Sequence, residues 1–265
     1  MAKLNKFWEI LKAVFAQPYL LNLIIQNQDY QQKKFLKAYP HLLALPQIEL
    51  KDLDINYDHQ VDSFLLDGSS MITDLALLKT LAKGKKSYFE IGTWRGESVW
   101  NVAKNIDDCT TLNLGKDEMK AMNLPTQYIE LHGILSKKNP KILHLEGNTK
   151  TFDFGALNKK YDLIFIDGDH SYEMVKHDTQ KVFQHLAHDK SIIVWHDYAY
   201  NPEKIRHEVF LGILEGTPQH LHHRLYHVAN TMCAVLLNEN MKGKKFESPK
   251  SPDHLFEIQI QSKDL

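Results

Sequence analysis

Short apolar runs and amphipathic stretches alternate through the middle of the chain. Continuous apolar runs predict strands that are buried on both faces of a sheet, at residues 87–91, 110–114, 141–145, 161–166 and 191–195. Between them, apolar residues recur at three- and four-residue steps, which predicts helices packed against that sheet. Residues 224–228 and 231–237 predict two more strands, separated only by Ala229 and Asn230, so they should pair antiparallel as a hairpin. The pattern predicts an α/β fold with a doubly wound, mostly parallel sheet and one reversed strand at its edge.

This alternation is absent from both ends of the chain. Residues 1–62 predict a helical N-terminal extension that packs on the sheet domain, acts as a lid or makes a dimer contact. The sheet domain then spans residues 63–240. Residues 241–265 form a tail that could add one more strand at residues 254–260.

Within the extension, one face of the predicted first helix is apolar, with Leu4, Phe7, Trp8, Leu11, Val14 and Phe15. Such a face packs against its own domain or a homodimer partner, or it lies on a membrane surface. Charged and polar residues interrupt the apolar stretch well before the roughly 18 to 20 residues that a membrane span requires. We therefore expect neither a signal peptide nor a membrane span.

Composition narrows the classes of partner. The 265 residues include 32 Lys and Arg against 33 Asp and Glu, so no overall positive field favours binding to nucleic acid. A small-molecule substrate is the better expectation. The cysteines Cys109 and Cys233 each lie in an apolar run, which predicts two buried thiols and a cytoplasmic protein.

The loop after the first strand is rich in glycine. It runs from Glu90 through Gly92 to Gly96 and leads directly into a predicted helix. The two glycines let the backbone turn tightly and approach a ligand, whereas the Glu90 carboxylate disfavours a phosphate group at this position. Neither of the common nucleotide-phosphate loops, G-x-G-x-x-G or G-x-x-x-x-G-K-[ST], occurs here.

Amide side chains follow the next two strands. Asn113 ends the second strand, and Asn148 lies in the turn after the third. Each amide can accept and donate a hydrogen bond, so either could hold a ligand hydroxyl. Ordinary turn chemistry explains both residues as well.

The densest polar cluster follows the two most hydrophobic strands. Asp167, Asp169 and His170 come after one strand, and His196 and Asp197 come after the next. Adjacent strands should bring these groups together, where clustered carboxylates and imidazoles favour a divalent cation. An imidazole in such a cluster also has the chemistry of a general base.

These motifs resemble a known enzyme family. The E-x-G-x-x-x-G loop resembles the first motif of class I S-adenosylmethionine-dependent methyltransferases. The segments D-G-D-H-S-Y and H-D resemble macrocin-type and catechol-type O-methyltransferases, which are similar to methyltransferase family 24. The resemblance implies a Rossmann-like methyltransferase sheet that binds S-adenosylmethionine and methylates a hydroxyl of a small molecule or a sugar.

The resemblance also implies roles for individual residues. It assigns the cofactor to Glu90, Gly92, Thr93, Trp94, Gly96, Asn113, Asn148 and Asp167. It assigns catalysis to His170 and Asp167, and a divalent metal such as Mg²⁺ to Asp167, His196 and Asp197. His196 departs from the oxygen ligands usual in that family, which leaves room for a softer metal or for none.

Two alternatives stay open at this point. A hydroxylase-like relative with the same fold, similar to the cephalosporin hydroxylase family, would use the cluster after the last two strands for a redox metal. A cofactor-binding module without catalysis would also account for amides at Asn113 and Asn148, where the family has acids.

Overall fold

A computed structural model describes residues 2–18, 20–21, 27–53, 60–66 and 68–264. Its α-helices are α1 (Ala2–Ala16), α2 (Gln28–Ala38), α3 (Leu50–Leu53), α4 (Ile72–Leu81), α5 (Glu97–Val102), α6 (Lys116–Ala121), α7 (Thr126–Leu131), α8 (Tyr172–Lys181) and α9 (His207–Gly216). Short 3₁₀ segments lie at Phe154–Leu157 and Gln219–Arg224, and a π-helical turn lies at Val182–Leu186. The strands are β1 (Gln47–Ile48), β2 (Ser87–Ile91), β3 (Asp108–Asn113), β4 (Ile142–Glu146), β5 (Tyr161–Ile166), β6 (Ala187–Trp195), β7 (Ala199–Asn201), β8 (Lys204–Ile205), β9 (Leu225–Val228) and β10 (Ala234–Leu236).

The described strands form one eight-stranded sheet in the order β1-β9-β10-β6-β5-β2-β3-β4, plus the small β7-β8 pair. Strands β2 to β6 are parallel, and β10 is antiparallel to both β6 and β9. The predicted mostly parallel sheet and terminal hairpin are therefore confirmed. The prediction that the reversed strand lies at the sheet edge is wrong, because β9 and the unpredicted strand β1 continue the sheet beyond β10.

Alternate residues of the central strands pack on opposite faces of the sheet. Phe89 of β2 and Ile164 of β5 belong to one hydrophobic cluster, together with residues of α8 and α9. Tyr88 and Leu163, one position earlier in each strand, belong to the other cluster, with residues of α4 and α5. The two-residue period of a strand thus accounts for a sheet covered on both faces. Cys109 and Cys233 are buried free thiols, as predicted.

Part of the N-terminal segment is built into this core. The Phe35 side chain in α2 is fully buried and stacks on Phe210 of α9, with ring centroids 4.6 Å apart. The backbone of β1 then pairs with β9, so Ile48 also enters the core. By contrast, the apolar side chains of α1 are largely exposed. None of the described helices is long and apolar enough to cross a membrane.

The C-terminal tail adds no strand at residues 254–260. The tail meets the sheet earlier, where Lys244 makes an isolated antiparallel bridge to Gln47 of β1. Beyond that bridge the chain leaves the sheet edge, and Leu255, Ile258 and Ile260 stay exposed. An apolar alternation alone could not predict this result, because a strand also requires an available edge to pair with.

Candidate active site

The carboxyl ends of the parallel strands form one edge of the sheet, where the loops are held in a row. Backbone hydrogen bonds continue past the strands through the N–H groups of Gly92, Gly147, Asp167 and His196, at N···O distances of 2.8–3.0 Å. This is the edge at which doubly wound sheets bind ligands. The loop residues predicted for cofactor, catalysis and metal therefore do lie along one edge.

The two glycines of the first loop are required by contacts within the protein. Gly92 has φ +87°, and a Cβ there would lie 2.0 Å from the backbone oxygen of Asp167. Gly96 also has φ +87°, and its Cβ would lie 2.2 Å from Ser136 Oγ. The sequence analysis attributed their small size to a close approach of ligand. The structure shows a further reason for the two glycines: Gly92 lets the first loop touch the Asp167 loop, and Gly96 makes room for Ser136.

Glu90 lies inside β2, and its side chain has no exposed surface. Its carboxylate accepts hydrogen bonds from Tyr88 Oη at 2.7 Å and from Thr93 Oγ1 at 3.0 Å. Burial raises the pKa of Glu90 to about 7, although hydrogen bonds from the hydroxyls of Ser98, Tyr88 and Thr93 favour the charged form. Glu90 therefore holds the start of the glycine loop in place through the hydrogen bond that it accepts from Thr93.

Replacing Glu90 by Gln should change how stability depends on pH. Because the folded pKa of Glu90 is raised, its contribution is fully present below pH 4.5 and is lost as the pH rises through about 7. Relative to Glu90→Gln, the wild type should therefore lose about 3 kcal/mol of unfolding free energy between pH 4.5 and about pH 8. Urea unfolding of both proteins across this pH range measures the difference. Parallel curves would show that Glu90 has an ordinary pKa.

A cleft opens beyond the ends of β2, β3 and β4. It is lined by Thr93, Asn113, Leu114, Lys116, Ile129, Lys137, His144 and Glu146, among others. The Asn113 side-chain oxygen accepts a hydrogen bond from the Thr93 backbone N–H at 3.3 Å. Strand register then places Glu146 beside Asn113. A carboxylate therefore lies beside Asn113, on the neighbouring strand.

Glu146 was missed by the sequence analysis, which ended the third strand one residue before it. The sequence signal that could have identified Glu146 is an acidic residue directly after a predicted strand. Asn148, which was singled out, uses its side-chain oxygen within its own turn, where it accepts from the Lys150 backbone N–H at 3.0 Å. Trp94 stacks on Tyr128, with ring centroids 4.4 Å apart, so its indole is held by α7.

His196 lies among three carboxylates beyond the end of β6. Its Nδ1 is 3.0 Å from Asp167 Oδ1 and 3.3 Å from Asp197 Oδ2, as ion pairs whose angles fall outside hydrogen-bond geometry. Its Nε2 is 3.1 Å from Asp74 Oδ2. Burial alone would lower the pKa of His196, but the nearby carboxylates outweigh burial and raise the pKa well above its usual value. The raised pKa favours the charged form of His196, which neutralises part of this acidic cluster.

Asp74 was not predicted, because it lies 122 residues before His196 in the sequence. It is fully buried in the first turn of α4, where it accepts from the Met71 backbone N–H at 2.9 Å. It also accepts from the Met232 backbone N–H at 2.9 Å. In the sequence, Asp74 has the pattern of an ordinary helix cap, and only the tertiary structure brings it to His196.

His170 and Asp197 form a second pair at the more open side of the cluster. His170 Nε2 lies 3.1 Å from Asp197 Oδ2, and 36% of the His170 side chain is exposed. Burial would raise the pKa of Asp197, but His196, His170 and Arg206 hold it at about 2. Asp197 also has φ +53°, a strained backbone for a non-glycine residue that is often found at functional sites. The geometry thus places a partly exposed imidazole within ion-pair distance of a carboxylate.

Arg206 is a further residue that the sequence analysis missed. Its Nη1 lies 3.9 Å from Asp197 Oδ1, and its guanidinium lies over the Tyr200 ring at 5.2 Å from the centroid. It directly precedes α9, in a segment that carries no recognisable motif. Arg206 adds a second positive charge to the side of the cluster next to His170.

Asp167, His196 and Asp197, which were predicted to bind a metal, do lie close together. His196 is the member whose protonation differs from that of a metal ligand. With its pKa raised by the carboxylates, the His196 imidazole would have to lose a proton to a metal ion before it could become a ligand. Among the described residues, Asp167, His170 and Asp197 also place ligand atoms within 4.8 Å of one another. A metal at this edge of the sheet stays a prediction.

Comparisons with known proteins show which protein family this chain is similar to. A family model described as a methyltransferase domain matches residues 89–198. This span includes all eleven residues that the sequence analysis assigned to cofactor, catalysis or metal, and it excludes Asp74 and Arg206. The comparison with curated proteins gives no match.

Solved methyltransferase structures show weak similarity. The O-methyltransferase from Bacillus cereus in complex with S-adenosylhomocysteine is 15% identical, over 65% of this chain and 84% of that chain, with a TM-score of 0.46. A putative caffeoyl-CoA O-methyltransferase from Staphylococcus aureus is 19% identical, over 78% of this chain and 98% of that chain, with a TM-score of 0.45. With TM-scores this low, the identification does not rest on these structures. It rests on the family match across the segment that carries both motifs, and residues 89–198 are a methyltransferase domain.

Proposed function

We propose that this enzyme transfers the methyl group of S-adenosylmethionine to a hydroxyl oxygen of a small molecule or a sugar. The observation that carries the proposal is the position of the His170–Asp197 pair. Its Nε2–Oδ2 distance is 3.1 Å, and the adjoining Asp167 loop is in backbone contact with Gly92 of the glycine loop. A base therefore lies beside the loop expected to hold the reactive end of the cofactor.

The cleft and the glycine loop suit the two ends of this cofactor. Glu146 and Asn113 lie at the end of the cleft, where a carboxylate and an amide can bind ribose hydroxyls. The backbone of Gly92 and Thr93 leads from there to Asp167. When bound, S-adenosylmethionine supplies an electrophilic methyl group on a positively charged sulfur. The excess of carboxylates over cations around His196 suits a cationic ligand.

Catalysis by this chain consists of holding the acceptor and accepting its proton. The Asp197 carboxylate lies 3.1 Å from His170 Nε2, which leaves Nδ1 to take the hydroxyl proton. Bound S-adenosylmethionine would supply the methyl group for the bond to the acceptor oxygen, and S-adenosylhomocysteine would leave with the electron pair of the broken carbon–sulfur bond. Alignment of oxygen, carbon and sulfur contributes most of the rate, and proton removal contributes the rest. Arg206 lies where it can contact an acceptor next to His170.

Cofactor binding tests the cleft. Replacing Glu146 by Gln should weaken binding of S-adenosylhomocysteine about tenfold or more, because hydrogen bonds to a charged acceptor contribute roughly 1.5–3 kcal/mol. Isothermal titration calorimetry of the full chain measures the change. Asp189→Asn is the matched control, since this exposed acid lies in the amino-terminal half of β6, away from the cleft. Equal affinity for Glu146→Gln and the control would remove Glu146 from the cofactor site.

A further inference from the structure

The exposed apolar surface of α1 belongs to neither the candidate active site nor the core. The first helix, α1, exposes most of its apolar side chains, including Phe15 at 83% and Leu4 at 64% of their surface. The aromatic side chains of Phe7 and Trp8 are also more than half exposed. Exposed large apolar residues that occur singly need no explanation, but a contiguous row of them marks an interaction surface.

The apolar residues of α1 occupy one continuous face. At 3.6 residues per turn, seven residues from position 4 onward fall within an arc of about 160°: Leu4, Phe7, Trp8, Ile10, Leu11, Val14 and Phe15. Lys6 borders this arc on one side and Lys12 borders it on the other, each about 40° outside it. Glu9 lies near the middle of the opposite face and pairs with Lys12 at 3.2 Å. We call this arc and its two bordering lysines the α1 face.

The shape of the α1 face decides among its potential partners. A coiled coil uses a narrower apolar seam and generally needs three or more heptads, whereas α1 has only 15 residues. A broad face with Trp and Phe, bordered by lysines, matches a helix that lies in the plane of a lipid surface. Lysines in that position can extend their ammonium groups to anionic headgroups while their methylene chains cover apolar surface.

We propose that α1 binds the surface of anionic membranes, with its apolar side chains among the lipid chains and Lys6 and Lys12 at the headgroups. Because Lys6 and Lys12 are positively charged, the lipid partner is anionic rather than neutral. The helix would hold the enzyme at a membrane surface, independently of which acceptor the active site methylates.

Vesicle sedimentation of the full chain tests this proposal. We expect binding to vesicles of three parts phosphatidylcholine and one part phosphatidylglycerol, and much weaker binding to phosphatidylcholine alone. Lys6→Gln and Lys12→Gln should each reduce the partition coefficient about fivefold. The double variant Trp8→Ser, Phe15→Ser should reduce the partition coefficient more than tenfold, because it removes two large apolar side chains from the face that enters the lipid. Asn5→Ser with Ala13→Ser, on the polar face, is the matched control and should change binding less than about twofold.

Results of two kinds would overturn the proposal. One kind comes from sedimentation: a wild-type chain that does not sediment with the anionic vesicles, or an aromatic double variant that sediments as well as wild type. The other is a dimer in sedimentation velocity that the aromatic double variant converts to a monomer, which would give the α1 face to a second copy. Thermal unfolding of each variant verifies that the sheet domain remains folded, since the substitutions lie on an exposed helix.

Discussion

Replacing Gly92 by alanine should destabilise the protein by at least about 3 kcal/mol and abolish detectable binding of S-adenosylhomocysteine. The added Cβ would lie 2.0 Å from the backbone oxygen and 2.6 Å from the backbone carbon of Asp167. Backbone atoms cannot rotate away as a flexible side chain can, so the two loops must separate. Their separation would move the glycine loop away from the His170–Asp197 pair. Urea unfolding and calorimetric titration measure the two effects.

Gly84→Ala is the matched control for this experiment. Gly84 also has a positive φ, at +70°, but a Cβ there meets nothing within 4 Å. Its substitution should therefore cost only the conformational penalty, about 1 kcal/mol, and leave cofactor binding unchanged. The difference between the two variants isolates the contact between the loops. If Gly92→Ala is no more destabilising than Gly84→Ala, the glycine loop and the Asp167 loop do not pack as described.

Replacing His170 by alanine should lower kcat by about 100-fold or more while leaving affinity for S-adenosylhomocysteine within about twofold. In the proposed reaction this imidazole takes the acceptor proton, and it lies in the segment that follows Asp167, whose backbone contacts Gly92. Methyl transfer to an acceptor that the wild type uses, measured at saturating cofactor, gives the change in kcat. Calorimetry gives the change in affinity.

His188 offers a close control for His170. His188 Nε2 lies 3.1 Å from Asp162 Oδ1, and 34% of its side chain is exposed, nearly the same pairing and exposure as His170 with Asp197. It lies near the start of β6, at the opposite end of the sheet. His188→Ala should leave kcat unchanged. Equal kcat values for wild type and His170→Ala would show that another group, or solvent, removes the acceptor proton.

The positions along the sheet edge were predictable from sequence because strand ends are local features. Apolar runs locate the strands, and residues that follow parallel strands must meet at one edge. Asp167, His170, His196 and Asp197 could therefore be grouped before any coordinates were known. The same reasoning located the glycine loop and the terminal hairpin.

The partners of those residues depend on tertiary contacts that a local pattern does not contain. Asp74 reaches His196 across 122 positions, and this contact contributes to the charged state of the imidazole that the sequence alone assigned to a metal. Glu146 reaches Asn113 through strand register. Likewise, a glycine that accommodates a ligand and one that accommodates a neighbouring loop have the same sequence signature. The position of Asp167 relative to Gly92 is what reveals the contact between the two loops.

Transfer of a labelled methyl group tests the central claim most directly. The full chain is incubated with S-adenosylmethionine labelled in the methyl group and a panel of hydroxylated small molecules and sugars, with and without a chelator. The account predicts label on an acceptor oxygen, with one S-adenosylhomocysteine formed for each methyl group transferred, and much less label with His170→Ala than with His188→Ala. A chain that binds S-adenosylhomocysteine but transfers no methyl group to any hydroxyl would contradict the account and favour a cofactor-binding module.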